Sequence, residues 1–182
     1  MKKNLVVMAL LTVLLCVCLG GCGGEKSYKV ESTPESSKSG SGEQTLKTDS
    51  YTVRYSENTK KSVSLPEGYP KNQFPIYKDS FIATVQDDGT GFIVTCFSKD
   101  TVDKVTAYYK EVLQNARMIS VTDDDKGYVS FGVKDGYTYT VTIVASSEIE
   151  GHSTSYIITL LPAEEGMAES LKEMPGLGGG NP

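Results

Sequence analysis

The chain has 182 residues, of which 38% are hydrophobic and 23% charged, and its formal charge is −5. That length suits one domain with terminal appendages, and the acidic balance excludes a nucleic-acid binder, which needs a clustered basic footprint. No metal-ligand spacing, phosphate loop or nucleophile elbow stands out, so neither a metal nor another cofactor is expected.

The N-terminus reads as a targeting segment. Lys2 and Lys3 precede an almost unbroken apolar run from Leu5 to Leu19, and Gly20-Gly21 supply the small residues of a cleavage site. As a helix the run spans about 22 Å, short of the roughly 30 Å hydrocarbon core of a bilayer. A removable signal therefore fits better than a permanent span. Leu19-Gly20-Gly21-Cys22 resembles the lipobox of bacterial lipoprotein precursors, a resemblance that covers the first 22 residues. It implies that the Cys22 thiol takes a diacylglyceryl group in thioether linkage and that a peptidase cuts between Gly21 and Cys22. The mature protein would then be held at the extracytoplasmic side of the cell membrane by two or three acyl chains, palmitate among them. Several chains make the anchor stable where one gives marginal binding. Cys16 and Cys18 fit less well, because Leu15 and Val17 stand where a small residue is expected.

Loss of residues 1–21 removes Lys2 and Lys3 and leaves 16 basic against 23 acidic side chains, a formal charge of −7. Cys96 becomes the one cysteine besides the lipid site, so no intramolecular disulfide is expected. Its place in the apolar run Phe92 to Phe97 suits a small buried hydrophobe.

Residues 22–50 read as the lipidated cysteine and a flexible Ser/Gly-rich tether. The stretch 31–50 has six serines and Leu46 as its one large apolar side chain, too little to offset chain entropy. A single α+β domain is expected over 51–161. Tyr51, Val53 and Tyr55 alternate as in a short strand, and the prolines at 66, 70 and 75 then break regular structure. Tyr69, Phe74, Ile76 and Tyr77 would pack this irregular segment on the domain edge. Phe81 to Val85 and Phe92 to Phe97 form a hairpin around Asp87-Asp88-Gly89. Ser98 or Asp100 would cap a four-turn helix whose apolar face runs from Val102 through Val105, Tyr109, Leu113 and Ala116. Strands follow at about 118–121, 128–133, 137–145 and 155–161, with Asp135-Gly136 as a two-residue hairpin turn. The order ββαββββ predicts a two-layer fold, one helix on an antiparallel sheet of about five to six strands. Residues 162–182 read as a flexible tail in which Met167, Leu171 and Met174 share helical spacing.

Strand alternation supplies the candidate site. In 137–145 the residues Thr138, Thr140 and Thr142 point away from Tyr139, Val141 and Ile143. One face would be covered by the helix, and the other, with Tyr128 or Ile157 nearby, would meet water or a partner. The run Asp123-Asp124-Asp125 lacks the later ligands of a calcium loop, since Gly127 and Lys134 stand where oxygen donors are needed. His152, the one histidine, has no nucleophile elbow around it. The functional expectation is a membrane-anchored extracytoplasmic module that binds an envelope protein or polymer. The alternatives are a small-molecule receptor pocketed by Tyr69 to Tyr77 and, with less support, a hydrolase built around His152.

Cys22→Ser is expected to abolish incorporation of labelled palmitate and to shift the chain from the membrane fraction to the soluble one; retained membrane label would locate the anchor elsewhere.

Overall fold

The computed structural model describes residues 35–38, 42–58 and 61–164, all within the compact unit Ser32–Pro182. The stretch read as a signal, Cys22, most of the stretch read as a tether and the residues beyond Glu164 read as a tail lie outside the described residues.

Among the described residues nine strands and one helix follow one another: β1 (Glu35–Lys38), β2 (Glu43–Lys47), β3 (Thr52–Ser56), β4 (Phe81–Asp87), β5 (Phe92–Ser98), α1 (Val102–Val112), β6 (Arg117–Asp124), β7 (Gly127–Lys134), β8 (Tyr137–Ala145) and β9 (Thr154–Pro162). They make one antiparallel sheet in the order β1-β2-β3-β4-β5-β9-β8-β7-β6. The last strand is thus inserted at the centre, and α1 carries the chain over one face from β5 to the far edge. The segment from β4 to β9 has the predicted order ββαββββ. The sheet is larger than the expected five to six strands because β1, β2 and β3 extend it. Glu43–Lys47 lies in the stretch read as a tether, yet all five of its residues pair with β3. A strand needs backbone partners more than apolar side chains, and Leu46 opposite Val53 supplies the small apolar contact that this pair has.

One face of the sheet holds the core. Tyr156, Ile158 and Leu160 from β9, Val94 and Cys96 from β5, and Tyr139, Val141 and Ile143 from β8 are all buried in one cluster. Two elements cover them. The first is α1, which lays Val105 and Tyr109, with Leu113 just past its end, onto the strands. Its first residue follows Thr101, whose side chain makes no capping bond, and its regular turns end at Val112, before Ala116. The predicted caps do other work: the Ser98 hydroxyl accepts the Asp100 N–H at 3.1 Å, and the Asp100 carboxylate accepts from Tyr77 Oη at 2.9 Å and Lys104 Nζ at 2.8 Å.

The second cover is the proline-rich segment 63–77, which sits in the core and not at its edge. Val63, Tyr69, Phe74 and Tyr77 are buried there. Its backbone turns on itself through Phe74 N–H to the Pro70 carbonyl at 2.9 Å. Tyr69 and Tyr109 donate their hydroxyls to the carbonyls of Phe74 and Pro75, at 2.9 and 3.1 Å. Edge-on ring contacts, Tyr69 with Phe92 at 5.6 Å and Phe74 with Tyr137 at 6.1 Å, complete the seating.

Asp135 and Gly136 have φ of 50° and 82°, the paired left-handed conformation of a type I′ turn. That turn sets Lys134 opposite Tyr137, and so fixes the whole β7–β8 register down to Tyr128 opposite Ile143. Gly132 faces the core opposite Tyr139; a Cβ there would collide with the Arg117 carbonyl oxygen and stand 2.9 Å from the Tyr139 hydroxyl. Gly132→Ala is expected to destabilise the chain by about 1–3 kcal/mol, read from urea unfolding. Gly136→Asn, which keeps the left-handed turn in open space, should stay within about 0.5 kcal/mol of the parent.

Candidate interaction face

Cross-strand partners point to the same side of a sheet, so the register decides which side chains share the uncovered face. Starting at β7, one row runs Val129, Thr142, Ile157, Thr95, Thr84 across β8, β9, β5 and β4. The next row, two residues along each strand, runs Phe131, Thr140, Thr159, Ile93, Gln86. Both rows continue outward, to Thr122 and Ser120 on β6 and through Tyr55 and Val53 on β3 to Gln44 and Leu46 on β2. These sixteen positions on eight strands carry no charged side chain, and six of them are threonine. At the chain's overall share of 23% charged residues, about four of the sixteen would be charged.

The face is half-buried over most of its extent, with Val129 and Val144 each 37% exposed and Leu161 47% exposed. At one end it is closed by its own aromatic residues. A β-bulge between Ile82 and Thr84 turns Ile82 into the core and leaves Phe81 opposite Phe97 on the outer side. The ring of His152 lies 6.2 Å from that of Phe81, so the loop before β9 caps this corner.

Thr138, Thr140 and Thr142 share this face as their alternation predicts. Tyr128 does not join them: it is 1% exposed and sits opposite Ile143 in the core, with the Lys110 ammonium 5.8 Å from its ring centroid. Its side was legible in the sequence. A two-residue turn at Asp135-Gly136 dictates that Tyr128 pairs with Ile143, whereas Val129 and Phe131 pair with Thr142 and Thr140. Those two residues, together with Thr84, Thr95 and Thr159, are among the members that alternation within one strand missed. Gly21 and Cys22 lie outside the described residues.

The other candidate groups are occupied in local structure. His152 Nδ1 is 3.3 Å from the Glu150 carbonyl, while the Ser153 hydroxyl turns to the carbonyls of Lys99 and Asp100 at 3.0 and 2.9 Å. These contacts close a loop and tie it to the start of α1; they do not set a base beside a nucleophile. Burial pushes the Cys96 thiol up to about 12, against a small opposing effect from the Tyr156 hydroxyl, which leaves it protonated and inert. Asp123 pairs with Lys110, and Asp124 accepts the Lys126 N–H at 2.9 Å across the β6–β7 turn. Among the described residues no three His, Cys, Asp or Glu side chains gather as a metal site. Tyr69, Phe74 and Tyr77, expected to line a receptor pocket, are core residues. Two surface concavities lie instead at the β4–β5 turn, one of about 30 Å³ beside Phe92 and Leu161 and a shallow one of about 230 Å³ between Lys47–Thr52 and Asp87–Gly89.

No protein-family model, curated protein or solved structure matches the chain.

The β4–β5 turn generates a pH prediction. Asp88 accepts the N–H groups of Gly91 at 2.7 Å and Thr90 at 2.9 Å, and these bonds hold its carboxyl below the usual carboxylate range. A depressed folded value means that the stabilisation is fully present above the ordinary value near 3.8 and is lost as pH falls through the lower folded one. Asp88→Ala should therefore lower the urea midpoint at pH 7 and lose less of it than the parent between pH 5 and pH 2; equal acid sensitivity of the two chains would remove Asp88 from that role.

Proposed function

We propose that the chain is a lipid-anchored extracytoplasmic module that recognises another macromolecule through the uncovered face of its sheet. The observation that carries this reading is the sixteen-position uncharged surface. In a chain with 41 charged side chains, a solvated sheet face ordinarily takes its share of them, and depletion of charge is the compositional mark of an interface core. The threonine hydroxyls and methyls suit a partner that offers both hydrogen-bonding and apolar groups.

In this reading the lipobox-like segment would hold this face near a membrane. Twelve residues, 23–34, separate Cys22 from the first strand. A fully extended chain of that length reaches at most about 45 Å, which would bound the distance from the anchor to the start of β1.

Val129 on the face and Val121 on the edge strand β6 have similar exposures, 37% and 46%. As single cysteine substitutions in intact envelope, Val129→Cys is expected to react with an impermeant maleimide at least fivefold more slowly than Val121→Cys. The acylated Cys22 and the buried Cys96 contribute little background. Equal rates at the two positions would count against an engaged face.

A further inference from the structure

We infer that the partner of the uncharged face is a second copy of the same chain, packed sheet to sheet about a two-fold axis with α1 on the outside of each half. This rests on the reading of that face as an interaction surface and names what occupies it.

The first argument is electrostatic. In an isologous contact every residue meets the same patch of the other copy. A face with a net charge would then oppose its own sign, and burying the charges would add a desolvation cost. A chain of formal charge −5 can pair with itself with little of that penalty through a surface whose two central rows carry no charge and whose charged positions, Arg117 and Asp124, lie at its β6 margin. A partner of opposite sign would instead be met by retained aspartates and glutamates. The face has neither sign of charge in its two central rows from β2 to β9.

The second argument is size and shape. Eight strands about 4.8 Å apart and about four residue rows per strand give a surface near 34 by 20 Å, about 700 Å²; the two uncharged rows form its centre, and the rows that flank them end at Arg117 and Asp124 on β6. Stable dimers bury about 800 Å² per partner, so the face is of the extent required. Two sheets of the same right-handed twist pack aligned at about −30° and 10 Å apart, with side chains of the two inner faces interdigitating. The alternation of bulk across the rows, as in Thr142, Ile157, Thr95 and Phe131, Thr140, Thr159, provides ridges and hollows for such a fit.

The third argument is the state of the edge. Strand β6 ends one side of the sheet, where it carries Asp123, Asp124 and a register shift between Met118 and Ser120, and the short strand β1, of four residues, ends the other. Charges, bulges and very short strands at an edge disfavour strand addition. Association by the face is left as the route that the sheet itself favours.

The test uses the full-length chain in its membrane, with a photo-reactive residue at position 157 in place of Ile157. The expected product is an adduct of twice the chain mass. Thr140→Lys combined with Thr142→Lys should reduce it at least tenfold, and so should the matching pair of Glu substitutions. Co-expression of the Lys pair and the Glu pair, one tagged, should restore it. Thermal unfolding of each purified variant checks that the fold survives, and Lys104→Glu on α1 serves as a charge change that leaves the adduct intact. An adduct of another mass would overturn the dimer and leave the interaction face standing. A twice-mass adduct insensitive to both charged pairs would put the contact elsewhere and overturn the inference. Absence of any adduct would overturn the inference and the proposed function together.

Discussion

The Tyr109 side chain is the joint on which the two layers depend. Its ring is fully buried at 5.4 Å from that of Tyr156 in the central strand, and its hydroxyl donates to the Pro75 carbonyl. A segment broken by prolines has carbonyl groups that no ladder satisfies, and a buried carbonyl without a donor costs about as much as a lost hydrogen bond. Tyr109 and Tyr69 supply those donors while their rings fill the core. Helix, irregular segment and sheet are therefore tied by one type of side chain, apolar in body and polar at the tip. The same burial drives the Tyr69, Tyr109 and Tyr156 hydroxyls far above their ordinary titration range, so none of them ionises in the folded chain.

With one face closed by that layer, the sheet has a single broad surface left, and its composition is not that of an ordinary solvent face. The bulge in β4 matters here. By shifting one residue it sends Ile82 inward and Phe81 outward, so that Phe81, Phe97 and His152 cap one end of the outer surface. Charged side chains are concentrated elsewhere, at the turns, on the outer side of α1 and along the edge strand. Surface electrostatics thus keep the edges and turns in water while the uncharged face remains able to meet another surface.

Much of the strand pattern from Phe81 onward was legible because the local signals were strong. Period-two alternation marks β8 over its nine residues, and Asp135-Gly136 specifies a type I′ turn. The same turn contained the correct side for Tyr128, which alternation within one strand sets near the threonine face. β2 was illegible for a physical reason: Glu43-Gln44-Thr45-Leu46-Lys47 buries little apolar surface, and its order comes from backbone bonds to β3. The helix ended early because Leu113 leaves the regular conformation and feeds the turn into β6, a tertiary demand that an apolar stripe reaching Ala116 does not record.

By itself the sequence determined the local elements: the spacing of apolar residues, the prolines and the glycine-bearing turns leave few backbone alternatives at those positions. It also carried Leu19 to Cys22, whose resemblance to a lipobox rests on adjacent residues alone. Only the tertiary structure decided that β9 lies at the centre of the sheet and that residues from eight strands align into two uncharged rows. Those facts depend on pairing between residues far apart in the chain, such as Phe92 with Leu160 and Thr95 with Ile157, where the free energy comes from backbone ladders and a shared core and not from any local preference.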